Sequence, residues 1–351
     1  MHNDKFIAPF IAYIKEHMDF KEHFFIVHGG VSTDIVRLPE EESNILILDD
    51  SYTGMNNFLK FNKIYKEYSF NAEKIFLHAI FSDAKLLFLF LNQRLLPKCY
   101  WVIWGADLYI YNKSRNTLKD KLRHYMRQKV YSKIGHLVTY VKGDYELAQQ
   151  WYGARGEYHE CFMYPSNLYN EYDVQEKMHD TINIQIGNSA DPTNNHLDIL
   201  GKLKKYRDEN IKIFAPLSYG NMEYAQEIAD KGKEIFGDKF VAMLDFMPLE
   251  KYFEFLGEID IAIFAHKRQQ AMGNTITLLG LGKKVYMRND VTPFKTFEDI
   301  DVKVFDVENI DIDLIDEITK EQNIKRIKEH FSKENYLKQL TNLFGGKQWH
   351  I

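Results

Sequence analysis

The sequence predicts an α/β protein of two doubly wound domains, each a parallel sheet with helices on both faces. Three observations carry that expectation. Short apolar runs alternate with longer segments of helical period through the first half of the chain, the pattern of a parallel sheet crossed over by helices. A polar stretch, Asn167–Asp180, has no apolar period and reads as a linker. The alternation then restarts. The expected domains are residues 1–167 and 180–330, with 331–351 forming a terminal helix that can pack back on the first domain.

The chain opens on an amphipathic helix, Phe6–His17, with no strand before it. Strands are expected at Phe24–Val27, Ile45–Leu48, Lys74–Leu77, Cys99–Trp104, His136–Tyr140 and Cys161–Tyr164. Helices fall among them at Met55–Tyr68, Lys85–Leu91 and Thr117–Tyr131. After the linker, strands are expected at Ile182–Ile186, Ile211–Pro216, Phe240–Leu244, Ile259–Phe264, Val285–Met287 and Val302–Phe305, giving two sheets of about six strands. The acidic run from Glu298 to Asp316 reads as a solvated face. Lys333–Leu343 is a last helix with no strand after it.

Bulk properties narrow the function classes. With 351 residues, 45% hydrophobic and 27% charged, the chain can bury two ordinary cores. A net charge of −5 argues against nucleic acid as the partner of the whole molecule. No stretch reaches the roughly 20 apolar residues that span a bilayer, and no signal-peptide pattern opens the chain. A cytoplasmic location is expected. Cys99 and Cys161 read as buried free thiols, and no cysteine or histidine group has zinc spacing.

In doubly wound sheets ligands sit beyond the carboxyl ends of the strands, and four loops there are polar in the second half. They are Gly187-Asn188-Ser189, the turn containing Tyr219, the turn containing Phe246, and Arg268-Gln269-Gln270 leading to Gly273-Asn274-Thr275. Asn274 is the expected N-cap of a helix, and Gly273 lets a ligand approach the backbone. Unpaired N–H groups and the positive end of the helix dipole then favour an anion. Arg268 can add charge-assisted bonds, so a diphosphate is the expected guest. Phe246 can pack on a nucleobase or serve as core. His28-Gly29-Gly30 lacks the third glycine of a dinucleotide fingerprint, which argues against a nicotinamide dehydrogenase.

The first half offers Asp107, in Trp104-Gly105-Ala106-Asp107-Leu108-Tyr109, and His78, each just past an expected strand. Either can serve as a general base. Asp107 can equally cap a helix or hold an acceptor hydroxyl, and His78 can be structural. Between Lys113 and Lys133 the charges are almost all basic. Lys119, Arg123 and Arg127 form one i, i+4 row beside Leu118, Leu122, Tyr125 and Met126. Each Lys or Arg near an anionic lipid surface contributes about 1 kcal/mol, so this helix is expected at a membrane surface, the alternative being a solvated helix.

Several of these segments together resemble glycosyltransferase family 56, the bacterial Fuc4NAc transferases, also called 4-alpha-L-fucosyltransferases. The segments are Trp104-Gly105-Ala106-Asp107-Leu108-Tyr109, Gly187-Asn188-Ser189 with Asn195-His196, and Arg268-Gln269-Gln270 with Gly273 and Thr275; Gly143-Asp144 and Tyr164-Pro165 match in order. The resemblance implies a GT-B fold, two Rossmann-like domains facing a cleft. It also implies a dTDP-sugar donor and an undecaprenyl diphosphate-linked glycan acceptor in enterobacterial common antigen assembly, at the cytoplasmic face of the inner membrane. The alternatives are a GT-B enzyme using a UDP- or GDP-sugar, and a non-catalytic nucleotide-sugar-binding protein. Neither a cofactor nor a metal is expected. The Asp-x-Asp triplets Asp299-Ile300-Asp301 and Asp311-Ile312-Asp313 lie in the late acidic run rather than in an early strand-end loop, and a helix start with Arg268 can do a metal's electrostatic work.

Overall fold

The structure is a computed structural model that describes residues 6–29, 44–48, 57–171 and 180–345. The chain divides into two compact units, Met1–Asn167 with Tyr336–Ile351, and Leu168–Asn335.

In order along the chain, the first unit holds α1 (Ala8–His17), β1 (Phe25–His28), β2 (Ile45–Leu48), α2 (Phe58–Ser69), β3 (Ile75–His78) and α3 (Asp83–Leu91). It continues with β4 (Cys99–Val102), α4 (Leu118–Tyr131), β5 (His136–Val138), α5 (Lys142–Tyr152) and β6 (Glu157–His159). Among the described residues the strands form a parallel pair, β1–β2, and a parallel sheet in the order β3–β4–β5–β6, rather than one six-stranded sheet. All four residues of β4 are buried, as a central parallel strand covered on both faces requires. Trp101 and Tyr131 lie at the middle of this unit's core.

Helix starts follow local chemistry. Ser82 caps α3 through the Lys85 N–H, and Thr117 with Asp120 forms a reciprocal capping box on α4.

The expected strand at Cys161–Tyr164 is absent, and β6 lies earlier, at Glu157–His159. The apolar run is buried without being extended, because Met163 sits at φ +60° and breaks the strand path. Its polar backbone is satisfied by the terminal helix α12 (Lys333–Phe344). The Phe162 N–H donates to Gln339 Oε1 at 3.1 Å, and the Tyr336 hydroxyl donates to the Met163 carbonyl at 3.0 Å.

The second unit holds β7 (Ile182–Ile186), α6 (His196–Leu203), β8 (Ile211–Pro216), α7 (Met222–Phe236), β9 (Phe240–Met243), α8 (Leu249–Glu258) and β10 (Ile261–Phe264). It ends with α9 (Met272–Gly280), β11 (Lys284–Met287), α10 (Thr292–Asp299), β12 (Phe305–Asp306) and α11 (Glu317–His330). Its six parallel strands run β12–β11–β10–β7–β8–β9. Chain order therefore reverses between β7 and β10, a switch point where the following loops diverge and leave a crevice. Ile184, Ile186, Ile213, Ile261 and Ile263 form the centre of this core.

The late acidic run is more than a solvated face. Asp311 pairs with the buried Lys284 ammonium at 2.5 Å, and Asp316 caps α11 through the Thr319 N–H. Most of the expected linker, residues 172–179, lies outside the described residues.

Candidate functional site

The crevice beside β7 and β10 is built by a knot of side chains around Asn194. Its Oδ1 accepts the Asn188 N–H at 3.0 Å and a bond from His266 Nε2 at 2.7 Å. Its Nδ2 donates to the Asp191 carbonyl at 2.9 Å and Ser189 Oγ at 3.3 Å. Because the backbone N–H can only donate, the oxygen assignment of Asn194 follows. His266 must then carry its proton on Nε2. Asn195 adds a second tie, donating to the Ala265 carbonyl at 2.6 Å. These bonds fix the loop after β7 against the loop after β10.

Two histidines stay neutral inside this knot. His266 is pushed down to about 3 by burial first, then by the charge of Arg268 and by His196, with Asp191 opposing. His196 is pushed down to about 4 by burial, with a backbone bond at Ile186 opposing. Gly187 is required beside them: its φ is +62°, and a Cβ would lie 2.3 Å from His196 Nε2.

Helix α9 begins earlier than expected. Ala271, at φ +56°, stands at the N-cap position, no side chain caps the helix, and Met272 is the first helical residue. Asn274 is therefore the third helical residue and not the cap, and its amide donates to the Tyr252 hydroxyl at 2.8 Å. Thr275 is buried, with its N–H and hydroxyl both bonded to the Ala271 carbonyl. The N–H groups of Met272, Gly273 and Asn274 thus head a helix without a side-chain cap, and Gly273 places no side chain over them.

The neighbouring loops supply polar groups. Gln270 bridges to Asn188 Oδ1 at 3.3 Å and to the Thr193 hydroxyl at 3.0 Å. Asn188 in turn donates to the Tyr219 hydroxyl at 3.2 Å. Arg268 Nη1 donates to the Gln269 carbonyl at 3.0 Å, while Gln269 itself is buried with Oε1 unpaired. Phe246 projects from the loop after β9 with 79% of its surface exposed. The structure so brings Gly187, Asn188, Ser189, Tyr219, Arg268, Gln269, Gln270, Gly273, Asn274 and Thr275 to the carboxyl edge of one sheet.

Gln185 and Tyr252 were missed by the sequence reading. Gln185 is fully buried inside β7, donates to the Gly187 carbonyl at 2.9 Å and leaves Oε1 unpaired. The signal was present: Asn183 and Gln185 alternate with isoleucines along a buried parallel strand. Tyr252 gave no signal, since an aromatic on an amphipathic helix is ordinarily core.

For the two candidate bases of the first unit, Asp107 and His78, the structure favours the structural alternative. The Asp107 carboxylate is fully buried and accepts three bonds, from Trp101 Nε1 at 2.7 Å, the Trp104 N–H at 3.0 Å and the Ile80 N–H at 3.3 Å. It is closed to an incoming hydroxyl and instead ties the loops after β3 and β4 together. Burial raises its pKa, and these bonds oppose the rise. His78 is pushed down to about 3 by burial first and by the charge of Lys85 second. Its Nδ1 lies 2.6 Å from the Tyr164 hydroxyl, which accepts the Trp104 Nε1–H at 2.6 Å and so donates to His78. A ring so weakly basic, with its acceptor nitrogen already occupied, holds Tyr164 in place and is a poor proton acceptor.

The basic row on α4 is only partly exposed. Arg127 is buried and Arg123 is tied to Asp83, leaving Lys119 exposed. The face turned to solvent instead carries Leu118, Leu122 and Tyr125, exposed by 84%, 57% and 49%. Among the described residues no helix is long and apolar enough to cross a membrane.

The chain is similar to known proteins over most of its length. The family described as 4-alpha-L-fucosyltransferase, glycosyl transferase group 56, matches residues 13–346. A glycosyltransferase from Rickettsia africae superposes with TM-score 0.61 at 15% identity, covering 96% of this chain and 94% of that one. HepE of Anabaena, solved with UDP and glucose, gives TM-score 0.57 at 9% identity, over 86% of each chain. WaaG, a glycosyltransferase of lipopolysaccharide biosynthesis, gives 0.52 at 11% identity, over 96% of this chain and 87% of that one. At these identities the likeness shows the fold, which is the GT-B fold.

Two predictions follow from these contacts. Asp107→Asn turns an amide donor toward groups that are themselves donors, and is expected to cost about 2 kcal/mol. Thermal unfolding should show a lowered Tm; an unchanged Tm would contradict the assigned role. His196 and His266 are neutral when folded but take up protons in the unfolded chain below pH 6.5. Their contribution to stability is complete above pH 6.5 and is lost as pH falls from there toward 4. His266→Asn should flatten the dependence of Tm on pH across that window, whereas a slope equal to the parent's would remove His266 from the account.

Proposed function

Because the chain belongs to glycosyltransferase group 56 and is a hexosyltransferase, we propose that it moves a 4-acetamido-4,6-dideoxygalactose-type sugar from a dTDP donor to a lipid-linked oligosaccharide. The observation that carries the donor assignment is the start of α9 beside the switch point, which no side chain caps, with Arg268 in the preceding loop. As the bond from the anomeric carbon to the diphosphate oxygen breaks, negative charge grows on the leaving diphosphate. Fixed N–H donors and a guanidinium stabilise that charge without reorganising. The acceptor hydroxyl oxygen forms the new bond and releases its proton. In this reading the exposed ring of Phe246 packs on the base.

The family description supports a fucose-like transferred sugar. The lipid-linked acceptor rests on α4, where exposed Leu118, Leu122 and Tyr125 lie among the exposed Lys119, Lys121 and Lys129. Apolar side chains entering the headgroup region, with lysines beside anionic lipid, give reversible attachment. That surface is the cytoplasmic face of the inner membrane in the proposed pathway, enterobacterial common antigen assembly.

Arg268→Ala should weaken dTDP binding by about tenfold or more in calorimetry while leaving the Tm without nucleotide within about a degree. Unchanged affinity would sink the Arg268 assignment. In thermal-shift titrations dTDP should stabilise the chain more than UDP or GDP at equal concentration. A larger shift with UDP would favour the second reading, a UDP-sugar enzyme, for which the HepE structure with UDP is the precedent of fold. For the surface, the double substitution Leu118→Ser with Leu122→Ser is expected to reduce co-sedimentation with anionic vesicles by about tenfold. Equal sedimentation would remove α4 from the membrane.

A further inference from the structure

Far along the sequence from the donor-binding loops, the first unit gathers two imidazoles and a carboxylate on one patch of its four-stranded sheet. His136 opens β5, and Glu157 and His159 are the first and third residues of β6. The parallel register pairs His136 with Glu157. The two-residue period of a strand puts Glu157 and His159 on the same face.

Three ligand atoms converge there. His136 Nδ1 lies 2.9 Å from His159 Nε2 and 3.5 Å from Glu157 Oε2, and His159 Nε2 lies 3.8 Å from Glu157 Oε2. A point equidistant from the three corners of that triangle is about 2.0 Å from each, the length of a zinc–imidazole or zinc–carboxylate bond. We propose that His136, Glu157 and His159 bind a zinc-type divalent transition-metal ion in the first unit, with a fourth position open to water.

A plain hydrogen bond between the rings accounts for the 2.9 Å approach alone. The carboxylate oxygen at 3.5 and 3.8 Å is too far for a strong bond to either ring. A cation at the centre accounts for all three approaches at once. The donor set also selects the ion: two imidazoles with one carboxylate suit zinc, nickel or copper and disfavour calcium and magnesium.

The site is preorganised. Tyr100 stacks on His136 at 4.0 Å with 6° between the rings. The strand entry packs closely on the preceding turn: the Gly135 N–H donates to the Leu96 carbonyl at 2.8 Å, and a Cβ on Gly135 would stand 1.9 Å from the Pro97 carbonyl oxygen. Both imidazoles are half-buried, with 22% of each side chain exposed. Lys74, whose charge acts on both rings, donates its ammonium to the Leu343 and Phe344 carbonyls at 2.9 and 3.2 Å. Glu157 is 68% exposed, which opens a path for the ion from solvent. The ligands come from two separate strands, so no short motif announces them.

The test uses the full chain, stripped with chelator and titrated with zinc and with cobalt(II). One equivalent of zinc should bind tightly by calorimetry, and cobalt(II) should give the intense visible absorption of a four-coordinate nitrogen–oxygen site. His159→Gln, and separately Glu157→Gln, should weaken zinc binding by about 10²-fold or more. Glu157→Gln alters an exposed side chain, so its fold is expected to match the parent by circular dichroism. Absence of a stoichiometric tight site in the parent would overturn the proposal. So would tight binding that both variants retain.

Discussion

The second unit depends on one small amide. Asn194 is fully buried; three of its four bonds brace the loop after β7, and the fourth, from His266, ties that loop to the one after β10. Strand pairing already joins β7 to β10 where chain order reverses, and this amide carries the tie on into the loops beyond them. With it, His266 is fixed as one tautomer and Asn188 is aimed at Gln270 and Tyr219. The α9 start has no side-chain cap because Ala271 stands at the N-cap position, while Asn274, inside the helix, is bonded to Tyr252. A polar knot of this kind is worth more than its separate bonds, since each donor left unpaired in the interior would cost about 1–3 kcal/mol.

The first unit repeats this logic with a carboxylate. Asp107 joins the indole of Trp101 to the backbone after β3 and β4, and the Trp104–Tyr164–His78 chain lies beside it. The long Trp-Gly-Ala-Asp-Leu-Tyr segment is thus explained by bonding inside the unit, without assigning Asp107 a proton to move. The same unit leaves leucines of α4 in solvent, which a protein without a partner for that face would not be expected to place beside one another.

Much of this was legible in the residues. Strands with isoleucines two residues apart, such as Ile182–Ile186 and Ile211–Pro216, were placed to the residue, because that alternation is the period of a strand. Cys161–Tyr164 lacks the alternation: its apolarity reports burial, and burial does not require extension. Convergence of the four loops was readable from the alternation of elements, whereas the direction of each side chain was not. Asp107 and His78 looked catalytic because carboxylates and imidazoles past strand ends are the right groups in the right places. Their hydrogen-bond partners, contributed by Trp101, Tyr164 and the backbone, exist only after folding. The imidazole–carboxylate triangle of β5 and β6 was invisible for a related reason, since it depends on strand register.

The account stands on the claim that a diphosphate occupies the open start of α9. A crystal structure of the full chain soaked with dTDP measures this directly. The diphosphate oxygens should lie about 2.7–3.2 Å from the backbone nitrogens of Gly273 and Asn274, with Arg268 turned onto them. A nucleotide bound with its phosphates away from α9 would contradict the account.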